Sequence, residues 1–293
     1  MKSNHPHKKL TPEQEPAFFD KLEVPYQRSK AEVWEKLSAA MDDKAVAEQK
    51  SARKIIPLSR KSTSLSLVAS FLLLIGVALF ARFYTKTVRV NSGQFVSHTL
   101  PDGSQVHLNA ATEIAYAPYW WRFSRKVSLK GEAFFEVAKG KKFQVISERA
   151  TTEVLGTSFN IRARGNVYEV YCATGKVRVK ALQGNEIVLV PGELGTVEKK
   201  GAKKKTGAIK KEEVLSWRLQ KFIYNTTPLA KVLQDIERHY NVKIEIDLSN
   251  VGEYNYTGLF SRRVSVEEAL KIICLSFGFE LERISNHSFS IKK

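Results

Sequence analysis

The strongest constraint on this chain is a stretch that contains no charge. Between Lys61 and Arg82 no residue is ionisable, and Leu65 to Phe80 is almost wholly apolar, its polar exceptions being Ser66 and Ser70. Those 20 uncharged residues match the roughly 20 that a helix needs to cross about 30 Å of hydrocarbon. A core helix usually keeps a polar stripe, and this run has none. Residues 62–83, with Leu65, Phe71, Leu74 and Phe80 along their length, are therefore predicted to form a transmembrane helix. About 60 residues precede the run and no A-x-A site follows it, which argues against a cleaved signal peptide.

The flanks predict an orientation. Lys50, Arg53, Lys54, Arg60 and Lys61 lie on the N-terminal side, against Arg82, Lys86 and Arg89 beyond the run. That bias keeps the N-terminus cytoplasmic. Phe83 and Tyr84 are expected as aromatic anchors at the far interface. The chain then divides into a cytoplasmic arm (1–61), one span, and about 210 residues outside. In a cell with two membranes this means a single-pass inner-membrane protein with a periplasmic C-terminus.

Charge does not collect where a nucleic-acid binder needs it. The chain carries a formal +17, of which the arm contributes +4 from 13 basic and 9 acidic groups. The densest basic run, within residues 198–213, is interrupted by Gly201 and Gly207 and followed by Glu212 and Glu213. Nucleic acid is not available outside the cell, so a solvated linker is expected there. Two cysteines, Cys172 and Cys274, exclude a disulfide scaffold and a Cys-based zinc knuckle. No metal site and no cofactor is expected.

In the arm, Ser29 and Glu32 have capping-box spacing. Behind them Val33, Trp34, Leu37, Ala40 and Met41 fall on one face of a helix of about 14 residues. Such a helix is only marginally stable alone. It either folds back on Ala17, Phe18, Phe19, Leu22 and Val24, or offers Val33, Trp34, Leu37 and Met41 to a partner, which is the favoured reading.

From 88 to 197 the period is two. Val106 and Leu108 alternate with polar neighbours, as do Val127 and Leu129, then Ala133, Phe135 and Val137, then Val177 and Val179. Turn signals punctuate these strands at Pro101-Asp102-Gly103, Lys130-Gly131, Gly156, Thr174-Gly175, Gln183-Gly184-Asn185 and Pro191-Gly192. An all-β unit follows, with sandwich, barrel and solenoid all compatible. Residues 214–293 change class. Lys221 to Asn225, Val242 to Ile246, Tyr254 to Phe260, Phe279 to Ile284 and Ser288 to Ile291 read as strands. Thr227 with Pro228, and Ser265, open two helices. The result is βαβ followed by βαββ, a small α+β module.

Catalytic motifs are missing: G-x-S-x-G, Walker A, G-x-G-x-x-G and H-E-x-x-H do not occur. His98 and His107 are conceivable bases for Ser104 or Ser158, and Glu132 and Glu136 a conceivable carboxylate pair. Surface or capping histidines and a salt-bridged sheet face explain them better, so no enzyme is expected.

The ordered runs LPDGSQVHLNAATEIAY from Leu100, RKVSLKGEAFFEV from Arg125, FQV from Phe143, VLGTSFNIRA from Val154 and TGKVRV from Thr174 together resemble the FecR domain. Asp102, Gly103, Leu108, Asn109, Gly131, Glu132, Phe135, Gly156, Thr157, Phe159 and Gly175 carry that pattern as structural residues. The runs FIYNTTPLAKVLQDIERHYNVKIEI from Phe222 and SVEEALKIICLSFGFELE from Ser265 resemble the module that follows FecR in Bacteroidetes-type regulators. That module is similar to the secretin/TonB short N-terminal fold. The resemblance implies a multi-domain membrane protein with a solenoid-like β domain. It also implies an anti-sigma factor that relays a signal from a TonB-dependent outer-membrane transducer, through that transducer's signalling domain, to a cytoplasmic ECF sigma factor. Two other readings compete. One is a periplasmic tether for an envelope complex; the other is a glycan-binding module using Tyr119, Trp120, Trp121 and Phe123.

Overall fold

The computed structural model describes residues 29–50, 60–182, 184–198, 201–205, 209–247 and 251–293. The alternative packing of the arm on residues 17–24 lies outside them. The chain divides into two compact units, residues 1–68 and 69–293.

Helix α1 spans Lys30–Lys50, longer than the expected 14 residues. The capping box forms as its spacing predicts: the Ser29 N–H donates to Glu32 Oε2 at 3.3 Å, and the Glu32 N–H donates to Ser29 Oγ at 3.4 Å. Helix α2 spans Arg60–Phe83. Within it Leu65–Phe83, 19 residues and about 28 Å of helix, is long and apolar enough to cross a membrane, and none of it is buried against protein.

Thirteen strands follow among the described residues. They are β1 Lys86–Val90, β2 Val96–Thr99, β3 Gln105–Leu108, β4 Thr112–Tyr116, β5 Arg125–Glu136, β6 Phe143–Ile146, β7 Ala150–Val154, β8 Ser158–Arg164, β9 Val167–Cys172, β10 Val177–Ala181, β11 Glu186–Leu189, β12 Leu194–Glu198 and β13 Gly201–Lys204. β5 belongs to two sheets. Its first half pairs with β4 and β6 in the order β1-β4-β5-β6-β7-β10-β11. Its second half pairs with β3 and β8 in the order β2-β3-β5-β8-β9-β12-β13.

The changeover falls at Gly131, whose φ of +120° lies where a side chain rarely goes. Lys130-Gly131 is thus a pivot inside one strand, not the turn its composition suggests. Every neighbour in these sheets is antiparallel except β5 with β6. A solenoid stacks parallel coils, so the solenoid-like expectation is corrected. The domain is a pair of sheets closed over one core, in which Val106, Leu108, Ile114, Val127, Phe135, Phe143, Phe159 and Ile161 interdigitate. Each large side chain buried there contributes about 1.5–3 kcal/mol.

The lysine run is also corrected, because Gly201–Lys204 is strand β13, paired with β12. After it come a short helix, α3, Lys211–Val214, and a 3₁₀ turn, Ser216–Leu219. The turn drives Trp217 into a second apolar cluster with Phe134, Tyr171, Leu194 and Leu215.

The C-terminal domain follows its predicted pattern closely: β14 Lys221–Pro228, α4 Leu229–Tyr240, β15 Lys243–Asp247, β16 Asn255–Ser261, α5 Val266–Leu275, β17 Glu280–Ser285 and β18 Ser288–Lys292. The two half-modules interleave, β14 pairing with β16 and β15 with β18, while β17 closes the hairpin on β18. Leu229, Val232, Leu233 and Ile236 of α4 share the core with Ala269, Leu270 and Ile273 of α5. Ser265 caps α5 by accepting the Glu268 N–H at 3.1 Å. Thr227 does not cap α4. Its hydroxyl donates to the Asn225 carbonyl at 3.3 Å, and Pro228 occupies the cap position.

Candidate signalling surfaces

The residues that carry the sequence pattern are mostly structural devices. Asp102 accepts the Ser104 N–H at 3.1 Å and pairs with Arg125, tying the turn at Gly103 to β5. Gly175 leaves room for Thr157, whose Cγ2 would lie 2.5 Å from an added Cβ, and Gly156 does the same for Lys139. Phe135 stacks on Phe159 with centroids 5.1 Å apart, and Leu108 is fully buried beside them.

Glu132 has a further role. It is buried, and its carboxylate accepts Asn109 Nδ2 at 2.9 Å and Asn160 Nδ2 at 3.2 Å. Its predicted place on a salt-bridged sheet face is therefore corrected: two amides hold it, and it looks into a cavity.

That cavity, about 180 Å³, lies between the β domain and the C-terminal domain. Glu132, Asn160, Arg162, Tyr224, Asp235 and Arg262 are among its walls. Arg162 reaches Asp235 across the boundary at 3.4 Å, and Arg238 grips the same carboxylate at 2.5 Å. The Gly93 N–H donates to the Arg238 carbonyl at 2.8 Å. Burial alone would raise the Asp235 pKa, but Arg162 and Arg238 outweigh it and hold the carboxyl below its usual range. Burial pushes Lys231 down, and the neighbouring Arg162 adds to that. Burial drives the Tyr224 hydroxyl well above its ordinary value. Arg162, Lys231 and Arg262 thus face Glu132, Glu169 and Asp235, a self-neutralised lock between domains rather than a site for one sign of ligand. The contacts across the boundary were not legible in the sequence, because Arg162 and Asp235 lie 73 residues apart.

The histidines do not meet the serines suggested for them. His98 Nε2 lies 2.8 Å from the Tyr116 hydroxyl, and His107 Nδ1 lies 2.8 Å from Ser97 Oγ. His107 Nε2 stands 3.4 Å from Glu136, which also binds Arg218 at 2.9 Å. Burial and then Arg218 lower the His107 pKa. The chain Ser97–His107–Glu136–Arg218 pins the segment around Trp217 to the sheet, with the Arg218 guanidinium 4.0 Å from the Phe134 ring centroid.

The predicted partner-contact residues on α1 are exposed: Trp34 is 75% accessible, and Leu37 and Met41 are also open, while Val33 is half-buried. Leu65, Phe71, Leu74 and Phe80 are exposed on α2. The four aromatic residues considered for glycan stacking do not form an open row. Trp121 is buried, edge-on to Tyr116 and Phe143, and Tyr119 turns toward the end of α2.

The described residues thus form a two-sheet domain followed by an interleaved α+β module, behind an exposed helix long and apolar enough to cross a membrane. The family model described as FecR protein matches residues 86–178, and the model described as FecR, C-terminal, matches residues 221–291. Two crystal structures of a candidate anti-sigma factor from Parabacteroides distasonis are similar to this chain. One is 32% identical with a TM-score of 0.64, covering 72% of this chain and 99% of that one. The other is 31% identical with a TM-score of 0.64, covering 71% and 99%. No curated protein matches. The chain belongs to the FecR family of anti-sigma factors.

Proposed function

We propose that this chain is a single-pass inner-membrane anti-sigma factor with its arm in the cytoplasm and its two folded domains in the periplasm. The arm binds an ECF sigma factor, and the periplasmic domains receive the signalling domain of a TonB-dependent outer-membrane transducer. No step calls for enzymatic chemistry. The observation that carries the reading is the order of parts: an exposed, capped helix with an open Trp34-Leu37-Met41 stripe, an apolar helix with no part of its span buried, then two family domains docked on each other. Strand β17, mostly exposed at the border of its sheet, supports strand addition as the receiving mode on the periplasmic side.

The test is capture of a purified ECF sigma factor by the full chain in detergent. Trp34→Ala with Leu37→Ala is expected to weaken capture at least about tenfold, as loss of two apolar anchors would. Equal capture by wild type and variant would remove this face from the interface. No capture by either would defeat the proposal at its cytoplasmic end.

A further inference from the structure

We propose that the loop from 117 to 124, together with the last turn of α2, is a seat that rests the β domain on an anionic phospholipid surface. This rests on the reading of α2 as a membrane span. Only two residues separate Phe83, the end of α2, from Lys86, the start of β1. The three Cα–Cα steps from Phe83 to Lys86 reach about 11 Å at most. Lys86 pairs with Tyr116, the last residue of β4, so the loop after β4 emerges at the level where the helix ends.

The side chains bring it lower still. The Tyr119 ring lies 5.4 Å from Tyr84 and 6.1 Å from Phe80, a residue inside the apolar segment. Arg82 stacks over Trp120 at 5.3 Å, and Trp120 packs on Phe123 at 4.6 Å. Where Leu65–Phe83 occupies hydrocarbon, these rings occupy the layer just above it, where amphipathic aromatics concentrate.

The loop is built for the task. Buried Trp121 anchors it to the core, and the N–H groups of Phe123 and Ser124 both donate to the Trp120 carbonyl. Tyr119 and Phe123 are left 62% and 70% exposed. Around them Arg82, Lys86, Arg122 and Lys126 are exposed, and none has a carboxylate within ion-pair distance among the described residues. The two acidic groups of the neighbouring strands and turns are engaged elsewhere, Glu113 with Arg89 and Asp102 with Arg125. Rings at interface depth beneath unpaired cations match phospholipid headgroups of negative charge.

The experiment uses the full chain in vesicles of phosphatidylcholine with phosphatidylglycerol. Nitroxide labels are placed singly at Phe123→Cys, Leu74→Cys and Leu275→Cys, with buried Cys172 and Cys274 shielded from the reagent. Collision with oxygen is compared with collision with an aqueous nickel chelate. The expected order of protection from nickel is Leu74, then Phe123, then Leu275, with Phe123 several-fold better shielded than Leu275. Shielding at Leu74 alone would overturn the seat and leave the span standing. A Leu74 label as wet as Leu275 would overturn both. A second readout covers the case where the label disturbs the loop. Brominated phosphatidylcholine is expected to quench the tryptophan fluorescence of wild type more than that of Trp120→Phe. Equal quenching would overturn the seat.

Discussion

At the scale of single residues, Gly131 decides whether β5 can serve two sheets. A Cβ added there would lie 2.5 Å from Thr112 Oγ1 and 2.7 Å from Thr112 Cα. Thr112 cannot retreat, because its hydroxyl donates to the Glu132 carbonyl at 3.2 Å and accepts the Glu132 N–H at 3.0 Å. Gly131→Ala is expected to cost about 2–4 kcal/mol, combining an unfavourable φ with overpacking. Gly192→Ala, at φ +88° with nothing within 4 Å, should cost only about 1 kcal/mol. Urea unfolding of both variants followed by near-UV circular dichroism would check the difference, and equal losses would remove the pivot argument. The sequence showed Gly131 as turn punctuation. It did not show the crowding by Thr112, since that contact spans 19 residues and depends on register.

At the scale of elements, local signals were readable wherever periodicity and caps agreed. Helices α4 and α5 and the five strands around them appear nearly where the alternation placed them, because each element has one buried face and a plain boundary residue. The capping box of α1 is such a signal. Ser29→Ala should weaken the first turn by about 1 kcal/mol, seen as several-fold faster hydrogen exchange at Glu32 and Val33 with the rest of the chain unchanged. Unchanged exchange would mean the box contributes nothing. Strand β13 was illegible for a physical reason. It lies at a sheet border, where lysines discourage further pairing, so Lys203 and Lys204 look like linker residues. Each turns to a carboxylate instead, Lys203 to Glu198 at 2.7 Å and Lys204 to Glu193 at 2.8 Å.

At the scale of the molecule, the β domain and the C-terminal domain are held by a polar lock and by the Trp217 cluster. The Asp235 carboxyl has its pKa lowered in the folded state. Its contribution is therefore complete above the unfolded carboxylate range and is lost as pH falls through the lower folded value. Asp235→Asn leaves Arg162 and Arg238 without their partner and should loosen the lock by about 2–4 kcal/mol at neutral pH. Limited proteolysis between residues 205 and 221 would report this as faster cleavage. The variant should also lack the acid-side loosening expected of wild type as pH falls through the lowered Asp235 pKa. Cleavage at the wild-type rate would mean that Trp217 and its neighbours hold the domains unaided.

The contact between Gly93 and Arg238 has a mechanical consequence. Strand β1, five residues long, follows α2 after two residues, and three residues past its far end Gly93 is bonded to the last turn of α4. A strand of about 17 Å thus joins the C-terminal domain to the root of the apolar helix, bypassing strands β2 to β13. In the proposed function, displacement of α4 by an incoming protein would tug on that root directly and leave the bulk of the sandwich still.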